Sequence, residues 1–226
     1  VKTKEITNLD EILVDGRKIL ESEIVEMLIP LEMEFLLIGQ AKGKFGGGQR
    51  RLFKNTQKKT REGNKPKFTS ICVVGDRNGH IGIGMGSAKE TVPAREKAVR
   101  QAKLNVFSIA RGTGSWAHNA ENAHSIPFAV SGKCGSVGVT LIPAPKGKGL
   151  CVQKECAKIL ALAGVRNVWS KSSGQTRSTI NMVFALEDAL RKLSVMKVSD
   201  SYKSQLKIVE GGEKKQQRVV IEPVME

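Results

Sequence analysis

Aromatic residues are scarce in this chain: seven Phe, two Trp and one Tyr make up 4% of its 226 residues. A protein that holds single strands mainly by stacking bases needs more of them, so stacking is excluded as the chief recognition device. No apolar run is long enough to span a bilayer, and no basic-then-apolar leader opens the sequence. The opening segment is acidic, unlike a targeting presequence, and no membrane partner is expected. Cys72, Cys134, Cys151 and Cys156 show no CxxC spacing, which argues against zinc even with His118 and His124 in the chain. Their apolar neighbours predict buried, reduced thiols. Catalytic signatures are missing too. Gly82, Gly84 and Gly86 fail the dinucleotide fingerprint, because its third glycine falls on Ser87. PAPKGKGL lacks the Lys-Ser or Lys-Thr of a phosphate-binding Walker loop, and Ser115 with His118 or His124 lacks a nucleophile elbow. Neither an active site nor a cofactor is expected.

Charge is abundant. Lys and Arg number 37 against 22 Asp and Glu, a formal net charge of +15, which points to a polyanionic partner. Its distribution is uneven. Residues 1–30 hold four basic and seven acidic residues and two short helical patterns. LDEILV is capped by Asn8, and SEIVEMLI is capped by Ser22 and stopped by Pro30. This part is expected to pack on a protein neighbour or on the chain's own domain. Residues 41–67 hold ten basic residues against Glu62 alone, with Gly46-Gly47-Gly48 marking a loop. Charge that dense repels itself unless something neutralises it, so phosphate contacts are expected. The candidates are Lys42, Lys44, Arg50, Arg51, Lys54, Lys58, Lys59, Arg61 and Lys67.

The stretch Lys67–Val106 reads as strand, turn, strand and helix. Lys67–Gly75 is β-branched and apolar, and Asp76-Arg77-Asn78-Gly79 supplies turn chemistry. His80–Met85 alternates glycine with apolar residues, leaving one bare face that another backbone can approach. From Thr91, residues Ala94, Ala98, Val99, Ala102 and Val106 form a helical stripe, with Pro93 in the first turn. Arg95, Lys97, Arg100 and Lys103 lie among them as secondary RNA-contact candidates. Strands are also expected at Glu34–Ile38 and over VFSIA, 106–110. A polar loop follows, in which Trp116 is expected to plug a hydrophobic gap rather than to stack on a base.

A second unit begins near residue 128. Phe128–Val130 and Ser136–Ile142 read as strands, and PAPKGKGL leads straight into a helix with Val152, Cys156, Ile159, Leu160 and Ala163 on one face. Gly164 closes that helix as its C′ residue. Lysines and glycines ahead of a helix N-terminus suggest an anion site. Val165–Trp169 reads as a strand, SKSSGQT as a loop, and Val183, Leu186, Leu190 and Leu193 mark a last helix. Beyond Val195 the chain reads as an extended or flexible tail, with RVVIEPV as a candidate docked strand.

Two long motifs in this order resemble the S5 family of small-subunit ribosomal proteins. They are VVGDRNGHIGIGMGSAKETVPAREKAVRQAKLN, and HSIPFAVSGKCGSVGVTLIPAPKGKGL followed by LALAGVRNVWSKSSGQT and the closing helix. The resemblance covers about residues 31–194. The GSW, HSIPF, SGKCGSV and PAPKGKGL wording is similar to the archaeal and eukaryotic branch. One departure is AHNAENAH after GSW, where archaeal relatives often carry cysteines, which further weakens zinc.

The resemblance implies an α+β fold: a double-stranded-RNA-binding-like domain of three strands and a helix, then a βαβ-type C-terminal domain. The implied division is an acidic extension at 1–30 and the RNA-binding-like domain at 31–110, with its basic insertion at 41–67. A linker at 111–127, the C-terminal domain at 128–194 and a tail at 195–226 complete it. The implied role is structural: binding small-subunit ribosomal RNA near the head–body junction, with messenger RNA close by at its entry path. The family's basic loop corresponds to the region of Gly47, Gly48, Arg50 and Arg51. The implied contact with the fourth small-subunit protein, tied to translational accuracy, falls on Lys146, Gly147, Lys148, Gly149, Lys154, Ala157 and Lys158. Other small-subunit proteins are expected neighbours. A free-standing double-stranded RNA binder that assists RNA processing is the alternative. A small-molecule kinase, whose βαβ unit is comparable, is disfavoured by the absent nucleotide loop.

Overall fold

The computed structural model describes residues 8–41, 50–116 and 123–212. Helices α1 (Leu9–Val14) and α2 (Ser22–Leu28) precede strand β1 (Glu32–Phe35). Strands β2 (Lys54–Thr60), β3 (Gly63–Gly75) and β4 (His80–Ala88) lead into helix α3 (Thr91–Leu104), and β5 (Val106–Ser108) and β6 (Ala110–Arg111) follow. Ser22 is the first residue of α2, not its cap, and Asn8 hydrogen-bonds the Glu11 side chain at 3.2 Å instead of a free N–H.

The first sheet is antiparallel, in the order β1-β3-β4-β5, with β2 on the outer part of β3. The expected three strands and helix are present, with β1 beginning at Glu32 rather than Glu34 and the strand expected over 106–110 divided between β5 and β6. The addition is β2, which arises inside the basic insertion, where no apolar alternation announces a strand.

Alternation along β3 divides the sheet into two faces. Ser70, Cys72 and Val74 pair with Gly86, Gly84 and Gly82, and this face carries α3. A Cβ on Gly82, Gly84 or Gly86 would overlap the backbone of Ala102, Ala98 or Ala94. Those three alanines are fully buried, so the bare strand face is filled by the chain's own helix. Leu9, Ile12 and Val25 pack on the same cluster, which seats α1 and α2 on their own domain. Ile71, Val73, Ile81 and Ile83 point the other way, into a core shared with the second unit.

That unit contains β7 (Val130–Cys134), β8 (Val137–Pro143), β9 (Leu150–Cys151), α4 (Lys154–Leu162), β10 (Val168–Ser173) and α5 (Thr179–Val195). The sheet order is β7-β8-β10-β9, and β9-α4-β10 is a βαβ crossover with parallel pairing. α4 does not follow PAPKGKGL directly, because β9 intervenes. The strand expected at Val165–Trp169 is displaced: β10 runs through Ser173 and converts SKSS from loop to strand through its pairing with β8. The glycine device recurs here, since a Cβ on Gly132 would overlap the backbone of Ala185 and Ala189 in α5. Edge strand β7 is capped by side chains: Lys192 donates to the Ser131 carbonyl, and Asp188 accepts from the Lys133 N–H, both at 3.0 Å.

Beyond α5, the chain forms α6 (Asp200–Gln205) and β11 (Val209–Glu210), and β11 pairs with β6. The tail through Gly212 is therefore docked, while RVVIEPV lies outside the described residues. No helix of the described residues is long and apolar enough to cross a membrane.

Two expectations for single residues are corrected. Trp116 is 79% exposed and plugs no gap among the described residues. Cys72 and Cys156 are buried, which pushes their thiols up to about 12, but Cys134 is half-buried and Cys151 exposed. All four are free thiols. Leu150, the apolar neighbour of Cys151 within β9, points to the opposite face of the strand and so does not cover the thiol.

Candidate nucleic-acid interface

The basic insertion folds as an arm. β2 and β3 pair from Lys54↔Thr69 to Thr60↔Gly63, whereas β4 accompanies β3 only as far as Phe68. The outer five pairs are thus two-stranded, about 17 Å long at ordinary strand rise. With no third strand, almost every side chain on the arm is exposed. Its tip is the two-residue connection Arg61-Glu62, with Gly63 at φ +116° and Thr60 Oγ1 donating to the Gly63 carbonyl at 2.8 Å.

Register sorts the charges. Directly opposed residues share a face, so Lys54, Lys58, Lys65 and Lys67 stand on one side of the arm and Lys59 on the other. Lys58 and Lys65 are opposite each other, and like charges so placed destabilise a ribbon that nothing neutralises. Lys65, not among the candidates named from the sequence, joins the row through register alone. Its ion pair with Glu62 at 2.9 Å is exposed.

Aromatic rings anchor the root of the arm. Phe53 meets Phe68 edge-on at 6.4 Å, and the Arg95 guanidinium lies 4.9 Å from the Phe53 ring and 5.8 Å from Phe35. Arg95 is thereby held at the junction of arm and α3. Lys97 and Arg100, three residues apart, are exposed on α3. Lys103 is half-buried and ion-paired to Glu26 of α2, so its charge is spent within the chain. Arg51 is exposed. Arg50 turns toward the second unit, donating to Thr179 Oγ1 and, at 3.4 Å, to the Arg177 carbonyl. Lys42, Lys44, Gly47 and Gly48 lie outside the described residues.

The second set of candidates forms a separate surface. Lys146 and Lys148 are exposed in a loop shaped by Gly147 at φ +91° and Gly149 at φ +71°. The Gly149 N–H donates to Asn167 Oδ1 at 3.0 Å, which fixes the loop against the start of β10. Lys154 is exposed on α4; Ala157 and Lys158 are half-buried. The first turn of α4 already holds an anion, the buried Glu155 carboxylate. It accepts from the Leu37 N–H at 2.9 Å and lies 3.5 Å from Lys158 Nζ. The lysine–glycine loop expected to form an anion site with this helix is separated from it by β9.

Among the described residues no three His, Cys, Asp or Glu side chains converge as metal ligands. His124 accepts from Asn167 Nδ2 at Nδ1 and is buried, which holds its pKa below the usual histidine range. A backbone bond and Lys146 act on it with smaller, opposing effects.

Comparison with known proteins accords with this architecture. The family described as ribosomal protein S5, N-terminal domain, matches residues 52–110, and ribosomal protein S5, C-terminal domain, matches residues 132–201. The chain is 48% identical over 199 residues to a protein of Nanoarchaeum equitans named small ribosomal subunit protein uS5, covering 88% of this chain and 85% of that one. A protein of the same name from Methanocaldococcus jannaschii is 40% identical over 212 residues, 93% of this chain and 91% of its own.

Proposed function

The chain belongs to the ribosomal protein S5 family, and from that premise we propose that the β2–β3 arm is its principal grip on ribosomal RNA. Membership makes the protein a structural, RNA-binding constituent of the small ribosomal subunit. The observation that carries the finer reading is the row of Lys54, Lys58, Lys65 and Lys67 on one face of the β2–β3 pair, all four exposed among the described residues. Charges crowded on an otherwise bare arm gain most from phosphate, which neutralises their mutual repulsion and releases counterions. Arg51, Lys59 and Arg61 extend this surface around the arm, and Lys97 and Arg100 extend it along α3.

In this proposal the grip lies near the head–body junction of the subunit, beside the messenger RNA entry path. Lys146–Gly149, Lys154, Ala157 and Lys158 then meet the fourth small-subunit protein, in a contact that bears on translational accuracy. The role is structural, without chemistry of its own.

The test is a variant with Lys54, Lys58, Lys65 and Lys67 all changed to Gln. Its affinity for small-subunit RNA should lose salt dependence, the log–log slope falling by about 3 if all four touch phosphate. In sedimentation it should no longer travel with small subunits. An unchanged slope together with normal sedimentation would place the arm in solvent.

A further inference from the structure

The β3–β4 turn gathers charged groups from three distant parts of the chain around one histidine. His80 is 3% exposed. Its Nδ1 lies 2.6 Å from Asp76 Oδ2, and its Nε2 lies 2.9 Å from Asp10 Oδ1 in α1. A carboxylate only accepts, so both ring nitrogens must donate, and only the imidazolium has two N–H groups. A neutral ring would turn a lone pair toward one of the two carboxylates at hydrogen-bond distance.

The same carboxylates are tied into the backbone. Asp76 Oδ1 accepts from the N–H of Asn78 at 2.7 Å and of His80 at 3.0 Å. Asp10 Oδ2 accepts from the Gly212 N–H at 3.4 Å, at the far end of the described chain. Two glycines make that approach possible. A Cβ on Gly79 would strike the Gly211 carbonyl, and one on Gly211, at φ +71°, would strike the Asp10 carboxylate. The Gly211 N–H reaches the Ile109 carbonyl at 3.4 Å, and β11 pairs with β6 beside it. Arg111 on β6 donates to the carbonyl and side-chain oxygens of Asn78, at 3.1 and 2.9 Å, and brings a cation to the turn. Arg77 in the turn itself pairs with Glu32, and Glu210 of β11 with Lys203.

We propose that protonated His80 is a bolt that fastens the N-terminal helix and the C-terminal segment to the β3–β4 turn together, so that deprotonation loosens both. Burial by itself would lower the pKa of His80, but its hydrogen bonds to Asp76 and Asp10, with their charges, prevail and raise it above the ordinary 6.5. Asp76 is lowered in turn, because bonds from His80 and Asn78 outweigh its own burial. A histidine raised in the folded state contributes fully below its unfolded pKa. That contribution is lost as pH rises through the folded pKa, so the bolt is closed in mild acid and opens toward alkaline pH. Leu9 and Ile12 remain buried in their cluster either way, which makes the opening a loosening rather than a release of α1.

The test is backbone hydrogen exchange of the full chain across pH 5.5 to 9, corrected for intrinsic rates, with the His80 ring titrated in parallel by NMR. Protection over Leu9–Val14 and Val209–Glu210 should fall together through the His80 transition, by about tenfold for each pH unit of pKa elevation, while α3 stays constant. His80→Gln should leave both segments weakly protected at every pH. Asp10→Asn, on a half-exposed side chain, serves as the milder variant and should flatten the pH response of both segments. Protection that does not change with pH in the unaltered chain would overturn the bolt. So would a response confined to one segment, or native protection in His80→Gln.

Discussion

β3 leads two lives along its length. From Ser70 to Gly75 it is fully buried, sealed between α3 on one face and the shared core on the other. From Gly63 to Lys67 it is one half of a bare ribbon, with every residue exposed. The inner half is specified by shape, because glycine on the neighbouring strand and alanine on the helix bring backbone against backbone. The outer half is specified by charge, because nothing else in its composition favours a particular partner. The lesson is that the most distinctive stretch of the chain is its scaffold, and the candidate grip is the polar segment just before it.

The contrast is broken most forcefully from the inner side. Gly84→Ala places a Cβ against the backbone of Ala98 and Ala102, where neither neighbour can rotate away. It should cost about 3 kcal/mol or more in denaturant unfolding. A loss under about 1 kcal/mol would mean that the seam yields easily. At the hinge between the two halves, Arg95→Ala removes the guanidinium from the Phe53 and Phe35 rings. The expected loss is about 0.5–1 kcal/mol, with faster hydrogen exchange over 54–60 while α3 is unaffected. Unchanged exchange in the arm would separate Arg95 from its anchoring. At the outer end, the four-lysine Gln variant should change the stability of the free protein by no more than about 0.5 kcal/mol. It should err toward stabilisation, because Lys58 and Lys65 no longer repel. Marked destabilisation would show that these side chains also support the fold.

Legibility in the sequence followed apolar pattern. The Ala94–Ala98–Ala102 stripe announces α3, and glycine alternation from Gly82 to Gly86 announces a strand face made for close approach. Both are local periodicities, and local geometry is enough to read them. β2 was not legible as a strand, because Lys-Asn-Thr-Gln-Lys-Lys-Thr carries no apolar alternation and forms only through its pairing with β3. The extension of β10 through Ser173 is likewise imposed by β8. Lys103 could be counted as a free cation until α2 brought Glu26 to it. Arg50 could be counted the same way until Thr179 came within reach.

By itself the sequence determined the class of partner and the packed strand–helix seam, both written in composition or in contacts between residues near one another along the chain. Its two long motifs carried the resemblance to the family, and with it the expected α+β fold. The tertiary structure decided which lysines share a face, since a face depends on register and a one-residue slip would exchange them. It also decided that Asp10, Asp76 and His80 meet, because Asp10 and His80 are 70 positions apart and no local pattern links them. Folding placed them together by burying Leu9 and Ile12 on the cluster beside α3, and the ionic contact followed from that packing.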